Sequence, residues 1–438
     1  MPNNTRGATA RPPALLRWRI AAGAGAVFLL GCAGSWPVEA QTPPDTLRLA
    51  EAVAQARAGN GMLQAARLRA DAAAERVPQA GAWHNPVLSF GLRNRPLDGF
   101  GTDERMTMNV VQLTQRIPWP GKLGYSEEGE DHSARAEALE SDEVEQQLVA
   151  RVKSTYFRLA YLDRALDVMR ETRELLRNFH EVSTSLYSVG RGLQQDVLQA
   201  QVAVAGMTED ITVAEQRRVS LAARLNSLLG RVATEPIPAL ELPPPSGRLS
   251  PVDTLIELAT RQRPALAAAQ ERVAAAEARY RAARRQLYPD FLVNVGYGQR
   301  PQYTDMLTIM VGVSIPLFAG SRQLPLRREA LATQAMEEAK ALDLYNETFA
   351  QLTETRADAE RALNLTALYR SSILPQARAA VESALSAYRV GRVDYMTLVT
   401  NQMIVNRYEI ESVRLLADYH GAIAELEALV GIDLGGGP

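Results

Sequence analysis

The residues able to do chemistry are few, and their spacing argues against catalysis. The four histidines, His84, His132, His180 and His420, are scattered, and none has a partner at metal-ligand spacing. Each is expected at a solvated or interfacial position. Nothing resembles a phosphate loop or a nucleophile beside its base, so no enzymatic reading survives and no cofactor or metal is implied. Glu127-Glu128-Gly129-Glu130-Asp131-His132 has the residue types of a cation site. At the start of a helix it is more simply a favourable N-terminal charge cluster.

One chemical pattern occurs twice. Ser185-Leu186-Tyr187-Ser188-Val189-Gly190-Arg191 is answered by Ser386-Ala387-Tyr388-Arg389-Val390-Gly391-Arg392, and Gln201 is answered by Gln402. Each glycine suits a helix C-cap, each tyrosine would pack on its turn, and Asp196 would cap the helix that follows. Tyrosine, arginine and aspartate at a turn supply hydrogen bonds and ion pairs. They can make and release a contact; they do not break a substrate bond. The copies are unequal. The second has no acid matching Asp196 and offers Arg392 and Asp394 instead.

Repeated turns about 200 residues apart call for repeated supporting elements. Residues 47–58 and 255–261 read as short amphipathic helices, each followed by an alanine-rich helical stretch, 62–82 (interrupted at Pro78) and 264–287. The period then changes. After Asn85-Pro86, Leu88, Phe90 and Leu92 alternate with Ser89, Gly91 and Arg93; Met106, Met108 and Val110 alternate with Thr107 and Asn109, with a possible bulge at Val111. After Tyr288-Pro289, Phe291, Val293, Val295 and Tyr297 form an apolar face, and so do Leu307, Ile309, Val311 and Val313. Strands are therefore expected near 86–94, 106–116, 289–299 and 306–315. A long helix follows each pair. The first, from about Ser133 to Leu186, carries Leu148, Val152, Thr155, Leu159, Leu162, Leu166 and Met169 at alternating steps of four and three, a coiled-coil seam. The second is expected to kink at Pro375. A helix returns after each turn, and Gly435-Gly436-Gly437 reads as a frayed end.

Pro236, Pro238, Pro243, Pro244, Pro245 and Pro251 make a stiff linker between the halves. Residues 1–40 are expected to be a signal peptide, 41–235 a first repeat, 236–251 the linker and 252–438 a second repeat. Arg11, Arg17 and Arg19 precede an apolar run, Ile20 to Leu30, too short to cross a bilayer. Leu29-Leu30-Gly31-Cys32 has the form of a lipobox that would be acylated on Cys32. Val38-Glu39-Ala40 offers an ordinary cleavage site instead. Cys32 is the only cysteine, so the exported chain holds no disulfide. A formal charge of −2 gives no general reason to expect nucleic acid.

Strands of about ten residues cross a tilted bilayer. Four cannot close, and open edges are not tolerated in hydrocarbon, so several copies must pool their strands. On its duplicated layout, its strand starts and its Tyr-x-Val-Gly turns with Asp196-Val197-Leu198-Gln199-Ala200-Gln201, the mature chain resembles the outer-membrane efflux (TolC) family of Gram-negative bacteria. That resemblance implies a mainly α fold with transmembrane β: a homotrimer whose 12-stranded β-barrel lies in outer-membrane lipid and continues as a long periplasmic α-helical barrel. It implies that the tips, with Tyr187, Gly190, Arg191, Asp196, Tyr388, Gly391, Arg392 and Asp394, gate the tunnel and meet a periplasmic adaptor coupled to an inner-membrane pump of the RND type. Ile117-Pro118-Trp119-Pro120-Gly121-Lys122 looks like the subgroup serving divalent heavy-metal exporters. The alternative is a periplasmic coiled-coil adaptor or scaffold without its own pore.

Overall fold

A computed structural model describes residues 46–97, 104–245 and 249–434. The leader with Cys32 and Ala40, and the glycines 435–437, lie outside the described residues.

The first half runs α1 (Leu49–Gly59), α2 (Gly61–Ala74), α3 (Arg76–Gly81), β1 (Val87–Arg93), β2 (Met108–Ile117), α4 (Lys122–Ser188) and α5 (Gln194–Leu229). The second runs α6 (Val252–Gln262), α7 (Pro264–Arg285), β3 (Asp290–Gln299), β4 (Met306–Ser314), α8 (Gln323–Leu368), a π turn (Tyr369–Ile373), α9 (Leu374–Arg389) and α10 (Tyr395–Val430). The break before α3 falls at Glu75, three residues ahead of Pro78, which sits inside the first turn of α3 where its missing N–H leaves no helical bond unmade.

Helix α4 has 67 residues, so it extends about 100 Å at 1.5 Å per residue. It starts eleven residues earlier than the expected Ser133. Gly124 and Gly129 disguise its first turns, because glycine costs a helix roughly 1 kcal/mol. Packing reverses that preference at Gly129, where an added Cβ would lie 3.2 Å from Arg279 Cγ and 3.5 Å from the Ala275 carbonyl, so the glycine admits α7 at close range. Farther along, Leu148, Val152, Leu159, Leu162 and Leu166 are buried. The seam serves two partners: the Leu148–Leu159 stretch packs with α1, the end of α5 and Ile237, and Leu166 packs with α5, α9 and α10 nearer the turns.

The sheet order is β1-β2-β3-β4, antiparallel throughout. Register overturns one reading of β2. Val111 pairs with Phe90 and with Tyr297, and Leu113 pairs with Leu88 and Val295, without a bulge. Directly paired residues share a face. Val111 and Leu113 therefore extend the apolar face of Phe90, Val295 and Ile309. Met108 and Val110 turn to the other face with Gly298 and Asn294, and both are buried. An added Cβ on Gly298 would lie 2.6 Å from Met108 Sδ, so the glycine makes room for that sulfur.

Where strands become helices, Asp290 and Lys122 are buried together, 2.7 Å apart. Lys122 also donates to the Tyr288 carbonyl at 2.8 Å, Arg116 pairs with Asp290 at 2.9 Å, and the Trp119 N–H donates to it at 3.0 Å. The Trp119 ring stacks on Tyr288 and Phe291 at 5.3 and 5.8 Å. The Trp119 N–H and the Lys122 ammonium thus join the two halves where the sheet meets the helices.

The proline-rich segment also packs on the helices. The Tyr156 hydroxyl donates to the Leu47 carbonyl at 2.9 Å and accepts from the Glu241 N–H at 3.2 Å. His420 is buried rather than solvated. Its Nε2 donates to the Pro243 carbonyl at 2.9 Å, and its ring stacks on Phe157 at 4.6 Å. Burial holds its pKa below the ordinary histidine value, so it stays neutral there.

Candidate gate and docking site at the helical tips

Both turns close in the same way. Helix α4 ends at Ser188. The Gly190 N–H then donates to the Tyr187 carbonyl at 3.0 Å and the Arg191 N–H to the Leu186 carbonyl at 2.8 Å. After α9, Gly391 donates to Tyr388 at 2.9 Å and Arg392 to Ala387 at 2.9 Å. This paired pattern needs a residue at positive φ, and Gly190 and Gly391 have φ of 72° and 73°. An added Cβ would meet nothing within 4 Å at either, so conformation rather than space requires glycine.

The tyrosines then diverge. Tyr187 is 47% exposed, whereas its counterpart Tyr388 is 5% exposed and lies between the two hairpins. The Tyr388 hydroxyl donates to Asp196 Oδ2 at 3.3 Å, linking the second turn to the helix that leaves the first. Asp196 does not cap α5, whose N-cap is Leu193 with no side-chain bond; it sits in the first turn and faces across to Tyr388. In the second copy the matching helix, α10, is capped by Asp394, which accepts the Thr397 N–H at 2.7 Å and the Thr397 hydroxyl at 2.6 Å. Those bonds hold the Asp394 carboxyl below the usual range. The two copies have therefore divided the roles: one acid links the hairpins, the other caps a helix.

Burial, then the Asp196 charge, pushes Tyr388 up to about 12. Tyr395, which sequence reasoning did not single out, lies edge-to-face against Tyr388 at 5.7 Å. It is fully buried, its hydroxyl has no hydrogen-bond partner among the described residues, and burial raises its pKa. The signal available in the sequence was the mismatch between the copies, since Gln194 stands where the second copy has Tyr395. Both turns line one cleft of about 450 Å³, with Arg191, Asp196, Arg389, Arg392 and Asp394 on its walls.

The acidic stretch is largely engaged in ion pairs. Glu128 pairs with Arg281 at 3.1 Å, Glu130 with Arg279 at 3.0 Å, Asp131 with Arg135 at 2.5 Å, and His132 with Glu271 at 2.7 Å. It lies in the second and third turns of α4, facing arginines of α7, so its charge is neutralised by ion pairs rather than by a helix terminus. Among the described residues no three His, Cys, Asp or Glu side chains converge as metal ligands. Among the described residues no helix is long and apolar enough to cross a membrane.

A duplicated chain with a four-stranded apolar-faced sheet, a helix of about 100 Å and paired hairpin tips is the subunit of a membrane duct. The sequence pattern of the family "Outer membrane efflux protein" matches residues 52–231 and 255–432, and the chain belongs to that family. It is an outer-membrane channel component of an efflux system, extending into the periplasm, and its family is not one of enzymes. It is 26% identical over 416 residues to the pyoverdine export outer membrane protein OpmQ of Pseudomonas putida, covering 86% of this chain and 84% of that one. Its fold resembles that of VceC from Vibrio cholerae, with TM-score 0.76 and 16% identity over 87% of this chain and 96% of the other. It also resembles CusC, with TM-score 0.76 and 16% identity over 88% and 92%.

Proposed function

We propose that three copies pool their sheets into a twelve-stranded barrel, continue it as a helical tunnel, and close that tunnel at the tips until a periplasmic adaptor and an inner-membrane RND pump engage it. The observation that carries this reading is the sheet. Its edges β1 and β4 are unpaired in the single chain, and Phe90, Leu307, Ile309 and Val311 stand 66–75% exposed on one face. An apolar face suits lipid, and edges in lipid must be paired. A soluble coiled-coil scaffold would leave that face in water, which disfavours the alternative.

Tyr187, Gly190, Arg191 and Asp196 of the first tip, with Tyr388, Gly391, Arg392 and Asp394 of the second, are the gate residues in this reading. The Tyr388–Asp196 contact supports it, because it ties unlike turns together. Acylation of Cys32, or cleavage after Ala40, would complete export. Heavy-metal cargo rests only on the resemblance of Ile117–Lys122, whose side chains serve the sheet–helix junction. The relative OpmQ is named for pyoverdine export. Cargo is best assigned to the pump and adaptor.

Fractionation tests the reading. The protein is expected in detergent extracts of the outer membrane as a heat-resistant trimer that conducts in planar bilayers. Release with the periplasm as a monomer would sink it.

A further inference from the structure

The cleft between the two turns has an excess of one charge. Arg191 projects from the first turn, and Arg389 and Arg392 from the second. All three are exposed, and none makes an ion pair with a described residue of its own subunit. The two carboxylates on the same walls are already engaged: Asp196 accepts the Tyr388 hydroxyl, and Asp394 accepts both donors of Thr397. Three such arginines on the walls of one cleft concentrate positive charge there; arginines on the packed helices are often paired. Along α2, α4 and α7, Arg67, Arg69, Arg272, Arg279 and Arg281 each meet a glutamate.

We propose that this cleft is a receptor for carboxylates, and that its occupant is an acidic loop at the tip of the protein that docks on the hairpins. The proposal rests on the docking role of the tips and adds the chemistry of the partner. Guanidinium forks bind carboxylates in pairs of parallel hydrogen bonds, so three of them on one cleft select clustered acids over a lone anion. The volume, about 450 Å³, holds several side chains rather than one carboxylate. Val189, Leu193 and Val390 stand 61–67% exposed beside it, an apolar surround that a protein covers and a small anion does not. The cleft also lies at the end of α4 remote from the sheet, where a partner arrives end-on.

The test uses the detergent-solubilised full chain and a fluorescent, end-blocked peptide of sequence Gly-Asp-Glu-Asp-Gly, with its Asn/Gln counterpart and tricarballylate as competitors. The acidic peptide is expected to bind with an affinity that falls as salt rises, and the amide peptide not to bind. Changing Arg191, Arg389 and Arg392 together to Gln should weaken binding by about tenfold or more. The triple Lys variant should fall between, because it keeps charge and loses the forks. Equal binding by wild type and the Gln variant overturns the proposal, as does no binding by wild type. Tricarballylate competing as tightly as the peptide replaces the protein partner with a free anion and also overturns it. Raised conductance in the Gln variant with unchanged peptide binding would assign the arginines to a lock between subunits instead. Bilayer conductance of the wild type separates the two readings: a conducting channel that ignores the peptide loses the receptor and keeps the duct.

Discussion

At the scale of single residues, the tips are governed by two tyrosines with opposite accounts. Tyr388 has a partner, and Tyr395 has none. Tyr388→Phe removes the hydroxyl from Asp196 and should cost the contact about 1 kcal/mol, read as a larger open fraction in bilayer recordings. Tyr395→Phe removes a buried hydroxyl that satisfies nothing. It should leave the closed state as stable or more so, and a marked loss of thermal stability would contradict this. The alkaline limb gives a second check. The folded Tyr388 pKa, about 12, lies above its ordinary value of 10.0, so the native tip holds its proton more tightly than the unfolded chain. The stabilisation is therefore complete below pH 10 and is lost as pH rises towards 12. Conductance of wild type should climb over that window, and Tyr388→Phe should flatten the climb.

At the scale of elements, the second hairpin is built to bend where the first is not. Helix α4 is continuous to its turn, whereas α8 gives way to the π turn Tyr369–Ile373 just before Pro375. The Pro375 ring takes one donor from the ladder, and the wider turn absorbs the displacement. Below it, Arg378 reaches Glu409 with two nitrogens, at 3.0 and 2.6 Å, and holds α9 to α10 as one hairpin. Pro375→Ala restores a donor and should stiffen this hairpin. The expected result is fewer openings per unit time in bilayers with unaltered trimer yield. An unchanged opening rate would remove the π turn from gating. At the turns themselves, Gly391→Ala forces a side chain to φ 73° and should cost roughly 1–2 kcal/mol through conformation alone, since nothing crowds the site.

At the scale of the whole molecule, the subunit is incomplete. Its sheet presents an apolar face and two open edges, and only pairing with other copies satisfies both in a membrane. The faces can be told apart by substitution. Ile309→Lys places a charge on the apolar face and should cost on the order of 2–4 kcal/mol near the bilayer centre. Thr308→Lys, one residue away, points to the opposite face and should be tolerated. The readout is the amount of heat-resistant trimer in the outer membrane. Equal yields would mean that the face carrying Phe90 and Val311 does not meet lipid.

Much of this was legible in the chain because it rests on local periods. Alternation marks β1, β3 and β4, the steps of four and three mark the α4 seam, and the duplicated Tyr-x-Val-Gly segments mark two C-capped turns, each set by residues a few positions apart. What remained hidden depends on partners distant in sequence. Which face of β2 meets lipid is decided by its pairing with β1 and β3, not by its own ambiguous run. The charge at Glu128–His132 is settled by α7, about 150 residues on, and the junction segment takes its purpose from Asp290, 168 residues beyond Lys122. The duplicated turn likewise becomes two unlike ones only in three dimensions. Local sequence caps both helices alike, but packing the hairpins side by side buries Tyr388 against Asp196 and leaves Tyr187 in solvent.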